Sequence, residues 1–286
     1  MNARPPNSYF LGIDGGGTRC RARIRDSAGN IAGEAEGGLA NIYQAFDSAL
    51  ANIIATATEA AGDIPLDQIH AGLGLAGATG PEQCARVERA ALPFASVRVD
   101  SDGCAACLGA HRGGDGGIVI AGTGSAGFAL IRGQRLSLGG HGFVLGDQGS
   151  GAVMGRSLMQ QALLAHDGIV QASPATRAVM AQFDDTPAKL VEWSRTALSR
   201  DYAAFTPQIF AAADEADAVA LAIVRQAALG LSGMARQIIR AGAPRVSLIG
   251  GLSAAITPWL PAEIAAALSP PLADPLEGAL LLARQV

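Results

Sequence analysis

Two glycine-rich turns with matching flanks are the residues of this chain best suited to hold a polyphosphate: Ile13-Asp14-Gly15-Gly16-Gly17-Thr18 and Ile120-Ala121-Gly122-Thr123-Gly124-Ser125. With one constant offset, Gly15 falls on Gly122, Gly17 on Gly124, Thr18 on Ser125, Ala22 on Ala129, Ile24 on Ile131 and Arg25 on Arg132. Glycine lets backbone take positive φ or approach a ligand closely, and successive turn N–H groups beside a hydroxyl form an anion-binding concavity. A single hairpin turn rich in Gly and Thr needs no ligand to explain it. Two copies with the same flanks imply a pair of phosphate turns, and hence a two-lobed nucleotide-dependent phosphotransferase. The copies differ where Asp14 is replaced by Ala121. One carboxylate is enough to reach a Mg²⁺, directly or through water, because that ion takes the rest of its shell from water and substrate phosphates.

Two further acids stand where chemistry could be done. Asp102 follows a short strand at Val97–Val99 and precedes an alanine-rich helix at Cys104–His111, a position where open α/β sheets place ligand-facing groups. The same position suits a helix N-cap, which spacing alone favours. Asp147 is the single acid in the segment from Gly139 to Ser150, whose glycine density suggests backbone shaped around a ligand; it could equally cap the helix beginning near Ser150. Gly250-Gly251 after a buried strand allows close approach to a nucleotide or simply ends the strand.

Positioning these groups requires a layered α/β chain. Tyr9 to Ala35 reads as a three-strand meander around the first glycine turn, followed by a helix with Phe46, Ala49, Leu50, Ile53, Ile54, Ala57 and Ala60 on one stripe. A strand at His70–Leu75, a helix at Pro81–Leu92 and a strand at Val97–Val99 follow. The meander restarts at Gly116. A helix runs from Gly149 to His166, the stretch Ser173–Pro187 reads as polar and irregular, helical sequence continues to Ala241, Val246–Ile249 is a buried strand and Pro275–Arg284 a final helix. With 286 residues, 49% of them apolar, the chain can build roughly two domains. Its net charge of -4 and lack of a basic run argue against non-specific nucleic-acid binding. No uninterrupted apolar run reaches the ~18 residues of a membrane span, and the short polar start has no signal-peptide character, so a cytoplasmic protein acting on small molecules is expected. Cys20, Cys84, Cys104 and Cys107 are then reduced thiols; Cys104 and Cys107 read as small core residues one helical turn apart, since His70, His111, His141 and His166 complete no metal cluster.

Taken in order, Gly12 to Thr18, Ser101-Asp102-Gly103, Ala121 to Ser125, Gly146-Asp147-Gln148-Gly149-Ser150, Leu248-Ile249-Gly250-Gly251 and Leu276-Glu277-Gly278-Ala279 resemble the N-acetylglucosamine kinase family of the sugar kinase, actin and heat-shock chaperone superfamily, over nearly the whole chain. The resemblance implies two ribonuclease-H-like, actin-like ATPase lobes with a nucleotide cleft between them: residues 1–112 with 270–286, and residues 113–269. It implies ATP and Mg²⁺ as cofactors and phosphorylation of N-acetylglucosamine at its 6-hydroxyl, with glucosamine as an alternative acceptor. Gly15, Gly16, Gly17 and Thr18 would form the first phosphate loop with Asp14 near the metal, Gly122, Thr123, Gly124 and Ser125 the second, and Gly250 and Gly251 would face the adenosine. Asp102 would be the catalytic base, and Asn41 and Asp147 would bind sugar hydroxyls. A homodimer is implied too, although no patch in the sequence argues for it. Two departures stand out: Arg19 where Lys is common, and Gln148 where an acid is common, which loosens the identity of the sugar. The rivals are an ATPase activator of acyl-CoA dehydratases or reductases, which would need cluster-holding cysteines near the second glycine turn that are absent here, and a sugar sensor, which would carry a DNA-binding segment ahead of Asp14.

Overall fold

The computed structural model describes residues 8–17 and 19–285, so Thr18 of the first glycine turn lies outside the described residues. The chain divides into two compact units: one holds the chain up to Gly117, Ala129–Gln134 and the stretch from Pro270, the other Ile118–Phe128 and Arg135–Ser269.

In the first unit, β1 (Tyr9–Gly15), β2 (Cys20–Arg25) and β3 (Ile31–Gly37) form the meander, followed by α1 (Phe46–Ala61), β4 (Ile69–Leu75), α2 (Pro81–Glu88), β5 (Ser96–Ser101) and α3 (Asp102–His111). The sheet order is β3-β2-β1-β4-β5, with β1 antiparallel to β2 and parallel to β4. Strand periodicity sorts the faces. Leu11, Ile13, Ala22 and Ile24 are buried in the core cluster that also holds Ala49, Ile53 and Ala57 of α1. The opposite face carries Gly12 and Gly72, which are register partners, together with Gly74. A Cβ on Gly12 would fall 2.5 Å from the Leu276 carbonyl, and one on Gly72 2.0 Å from that of Ala279. Those carbonyls belong to α12 (Pro275–Ala283), the last helix of the chain, which thus lies backbone-close on the first sheet.

The next elements are β6 (Gly116–Ala121), β7 (Ser125–Ile131), β8 (Gln134–Gly139), α4 (Gly151–His166), α5 (Pro174–Ala181), α6 (Pro187–Ser194), α7 (Ser199–Ala203), α8 (Thr206–Asp214), α9 (Ala218–Arg240), β9 (Val246–Ile249), α10 (Ser253–Ile256) and α11 (Ala262–Ala267). Their sheet order, β8-β7-β6-β9, repeats the β3-β2-β1-β4 order of the first, so the sequence repeat is also a repeat of topology. The second copy differs by the helices inserted between its third and fourth strands.

The polar stretch Ser173–Pro187 was expected to be irregular and instead contains α5: the Ser173 hydroxyl accepts from the Thr176 N–H while the Thr176 hydroxyl accepts from the Ser173 N–H, a capping box that outweighs poor composition. The helix expected over Pro81–Leu92 stops at Glu88, ahead of the Pro93 turn. By length and a mean hydropathy of 1.5, α9 is the one helix among the described residues long and apolar enough to cross a membrane. Arg225 and Gln226 interrupt it, and Ala220, Val224, Ala227, Leu231, Ala235 and Ile238 form a buried stripe along it.

The polar face of β2 fastens α12 in place. Arg23 pairs with Glu34, Asp274 and Glu277, and Arg25 donates two hydrogen bonds to the same Glu277 oxygen. Burial alone would raise the Glu277 carboxyl; the Arg25 and Arg23 guanidiniums more than offset it and hold it below the ordinary carboxylate range. A depressed carboxylate stabilises the fold at pH values above its unfolded pKa of about 4.3, and that contribution is lost as pH falls through the folded value. Glu277→Gln should therefore lower unfolding free energy at pH 7 by roughly 1–3 kcal/mol, with the gap to wild type closing as the denaturant melts are repeated toward pH 3.

Candidate active site

Within the first unit, the glycine turn, Asn41 and Asp102 converge at one end of the sheet. The turn is closed by the Gly16 N–H on the Arg19 carbonyl at 2.9 Å, and the Ala40 N–H donates to the Gly16 carbonyl at 2.9 Å. Gly15 is hemmed in, since a Cβ there would fall 2.7 Å from Leu75 Cδ2; Gly17 is open, with Asn41 Nδ2 its nearest neighbour at 3.8 Å. The Asn41 Oδ1 is occupied by the Tyr43 and Gln44 N–H groups, which leaves the amide NH₂ as a donor facing the turn.

Strand periodicity puts Asp14 on the same sheet face as Gly12, the face covered by α3 and α12. The register sets Arg21 directly opposite, and its guanidinium takes one Asp14 oxygen through Nη2 at 2.5 Å and Nε at 3.2 Å. Arg21 is the site residue that sequence reasoning missed. The tight turn between β1 and β2 implies this cross-strand pairing, and that register was the signal available.

Asp102 opens α3 without capping it. The cap is Ser101, whose hydroxyl accepts from the Cys104 N–H at 3.0 Å. The Asp102 carboxylate accepts from the Gly103 N–H at 2.8 Å and, more weakly, from its own N–H. Its carboxyl is largely desolvated while still partly open to solvent. That desolvation pushes its pKa above the ordinary carboxylate value, the Gly103 N–H opposes the shift, and the Asp14 charge adds to it.

The second unit shows the same division of labour. The Ser150 hydroxyl caps α4 by accepting from the Val153 N–H, so Asp147 is free of that duty. Asp147 takes a left-handed φ of 60°, and its carboxylate accepts from the Ser125 and Gly142 N–H groups. Burial raises its pKa; those N–H groups and His141 work against the rise. Gly124 leaves room beside it, since a Cβ there would stand 2.9 Å from Asp147 Oδ2 and would displace that carboxylate. The Ser125 hydroxyl donates to the Gln148 carbonyl at 2.8 Å, so Thr123 is the residue that carries an exposed hydroxyl on this turn. The first N–H groups of α4 tie the turn down: Gly151 donates to the Gly122 carbonyl and Ala152 to that of Thr123. Gly250 has φ 101°, and a Cβ would lie 2.4 Å from the Ala121 carbonyl; Gly251 has nothing within 4 Å. Gly250 therefore serves close packing of β9's end on β6's end, and Gly251 is the one open to a ligand.

The structure thus brings Asp14, Gly15, Gly16, Gly17, Asn41 and Asp102 together in one unit, and Gly122 to Ser125, Asp147, Gly250 and Gly251 together in the other. Among the described residues no three His, Cys, Asp or Glu side chains cluster as a self-sufficient metal cage. Hard oxygen donors are what remain, Asp14 above all, with open glycine backbone beside it. That donor set fits a Mg²⁺ arriving with polyphosphate and water in its shell. All four cysteines are free thiols; burial pushes Cys20 and Cys107 up to about 11, far from the range in which a thiolate could act.

The chain is similar to known proteins over nearly its whole length. The glucosamine kinase GspK of Vibrio cholerae is 43% identical over 281 residues, covering 96% of both chains. A solved structure from Chromobacterium violaceum that carries the provisional name N-acetylglucosamine kinase superposes with a TM-score of 0.91 at 34% identity, covering 98% of this chain and 100% of that one. A ROK family glucokinase from Streptomyces griseus, solved with glucose and AMPPNP, shares the fold at TM-score 0.59 and 20% identity, covering 98% of this chain and 100% of its own. The family match runs from residue 11 to residue 283, and the chain belongs to the BadF/BadG/BcrA/BcrD ATPase family, with the two-lobed α/β fold of actin-like sugar kinases.

Proposed function

We propose that this protein is an ATP-dependent kinase of an amino sugar, transferring the γ-phosphoryl group to the 6-hydroxyl of glucosamine. The observation that carries the reading is Asp102: a desolvated carboxylate beside Asp14, at the first residue of a helix whose cap is supplied by another side chain. A carboxylate relieved of capping and desolvated in that way is suited to accept a proton. N-acetylglucosamine is the acceptor the sequence resemblance put first; the 43% identity to a glucosamine kinase over nearly the whole chain moves glucosamine ahead of it.

In the proposed reaction Asp102 takes the proton of the sugar hydroxyl as that oxygen attacks in line. Asn41, through its amide NH₂, would orient a sugar hydroxyl in the first unit, and Asp147 is the sugar-binding candidate of the second. In the second unit the Thr123 hydroxyl and the turn N–H groups not already bonded would meet phosphate, with Gly251 the point of approach for the adenosine, and in the first unit the open backbone at Gly17 would do the same. Asp14 would hold the Mg²⁺, directly or through water, and that ion supplies neutralisation of the charge spread over the transferring phosphoryl group. Phosphoryl transfer of this kind depends on positioning and electrostatics more than on covalent chemistry by the protein. Use of ATP is in keeping with a cytoplasmic location, and a homodimer belongs to the same proposal.

ADP release from MgATP, followed in a coupled assay, should depend on glucosamine and be weaker with N-acetylglucosamine, N-acetylmannosamine or glucose. Sugar-independent hydrolysis would instead favour an ATPase partner role. The variant Asp102→Asn should lose about 100- to 10,000-fold in kcat while glucosamine and ATP still bind; near-normal turnover would remove Asp102 as the base.

The same residue sets a pH dependence. Its folded pKa lies above the unfolded value near 3.9, so the acid limb of kcat/KM should fall above the ordinary carboxylate range. A carboxyl raised on folding destabilises the fold increasingly as pH climbs past the unfolded value. Asp102→Asn should accordingly melt higher than wild type at pH 7 and match it near pH 3. A variant that is both inactive and less stable at pH 7 would mean that Asp102 serves structure.

A further inference from the structure

The first unit contains a second concentration of charge at the end of the sheet remote from the glycine turn. The β1–β2 register runs from Gly15 opposite Cys20 at the turn to Phe10 opposite Arg25 at the far end. There a cavity of about 480 Å³ is walled by Arg25 of β2, Arg112 at the end of α3, and Glu277, Leu280, Leu281 and Arg284 at α12. Helix α3 connects the two ends, with Asp102 at its first residue and Arg112 just past its last, a span of about 15 Å.

The three guanidiniums come from three separate elements. Arg25 is fixed in the wall by Glu277 and by the Gly29 carbonyl. Arg284 is seated over the Phe10 ring, 5.4 Å from its centroid. Arg112 is the unusual one. It follows α3 in the left-handed region with φ 49°, the place where helices commonly put glycine, and its side chain keeps that position against the steric preference of any Cβ. Among the described residues no carboxylate pairs with Arg112. Among the described residues that line the cavity are three guanidiniums, Arg25 among them already paired with the one carboxylate, Glu277, above an apolar floor of Leu280 and Leu281. Its volume lies within the range of small-molecule sites, and guanidinium forks match phosphate oxygens in shape and charge.

We propose that this cavity is a second binding site, separate from the glycine turns, for a small phosphate monoester, with Arg112 and Arg284 on the phosphate and the leucines under the organic part. The strained position of Arg112 is then explained by its ligand, since the fold alone would be better served by glycine. The proposal does not depend on which reaction the glycine turns support.

Arg112→Gly separates binding from folding. Glycine takes the left-handed φ without strain, so this variant should melt above wild type and lose affinity for glucose 6-phosphate, measured by calorimetric titration, by about tenfold or more. Arg284→Gln should weaken the same binding event. Wild-type protein should bind glucose 6-phosphate more tightly than inorganic phosphate, because only the ester reaches the leucine floor. Equal affinity for the two probes would reduce the cavity to a non-selective anion groove and overturn the proposal. So would unchanged glucose 6-phosphate binding in Arg112→Gly, or no binding by wild type outside the sites that MgADP blocks.

Discussion

Helix backbone pressed directly onto sheet backbone is the constraint on which the first unit depends. One face of β1 and β4 is glycine at Gly12, Gly72 and Gly74, and the helices over it approach so closely that no Cβ could be added: a Cβ on Gly74 would stand 2.4 Å from Ala105 Cβ, and one on Gly278 1.7 Å from the Ala105 carbonyl. Such contacts leave α3 no freedom to slide or roll, because interiors at this density transmit displacement rather than absorb it. Asp102, at the first residue of α3, inherits that rigidity. So does Asp14, two residues beyond Gly12 on the same strand face. Their relative placement, which phosphoryl transfer would need, is thus a product of glycines that never touch a substrate.

Electrostatics adds the second layer. A carboxylate that caps a helix spends its lone pairs on N–H groups and is stabilised in its charged form; one relieved of capping and desolvated keeps its basicity. Serine takes the capping duty in both units, Ser101 beside Asp102 and Ser150 near Asp147. Asp102 gains a raised pKa and open lone pairs. Asp147 takes the other course and fastens the second glycine turn through the Ser125 and Gly142 N–H groups.

Much of this was legible in the sequence, and for identifiable reasons. The meander, the glycine turns and their duplication show in the chain because strand alternation and turn chemistry are local. The cap that spacing alone favoured at Asp102 falls to Ser101 instead: the two are adjacent and both are good caps, so sequence cannot choose between them. Helix α5 was missed because a Ser173–Thr176 capping box lacks the Glu or Gln usually read as its signal. Arg21 went unnoticed because β2 presents three arginines at alternate positions, whose partners range from Asp14, seven residues from Arg21, to Glu277, 254 residues from Arg23, so composition alone does not single it out. The separate tasks of Gly250 and Gly251 could not be divided from sequence, since only the approach of the Ala121 carbonyl tells them apart.

The duplicated turns also show how one hairpin pattern can serve two different tasks. At the constant offset that aligns them, Asp14 falls on Ala121 and its partner Arg21 falls on Phe128. The acid and the base are lost as a pair in the second copy, as they must be: either alone, at positions that are 0% and 7% exposed there, would be a buried charge without a counter-ion. The Ala121 carbonyl is taken up instead by the Leu252 N–H and the close passage of Gly250. In the first copy the same strand end is open, and the Asp14 carboxylate is held there by Arg21 within reach of the glycine turn. Asp14, with its own arginine, is thus an acid that the first turn keeps and the second lacks at the aligned position.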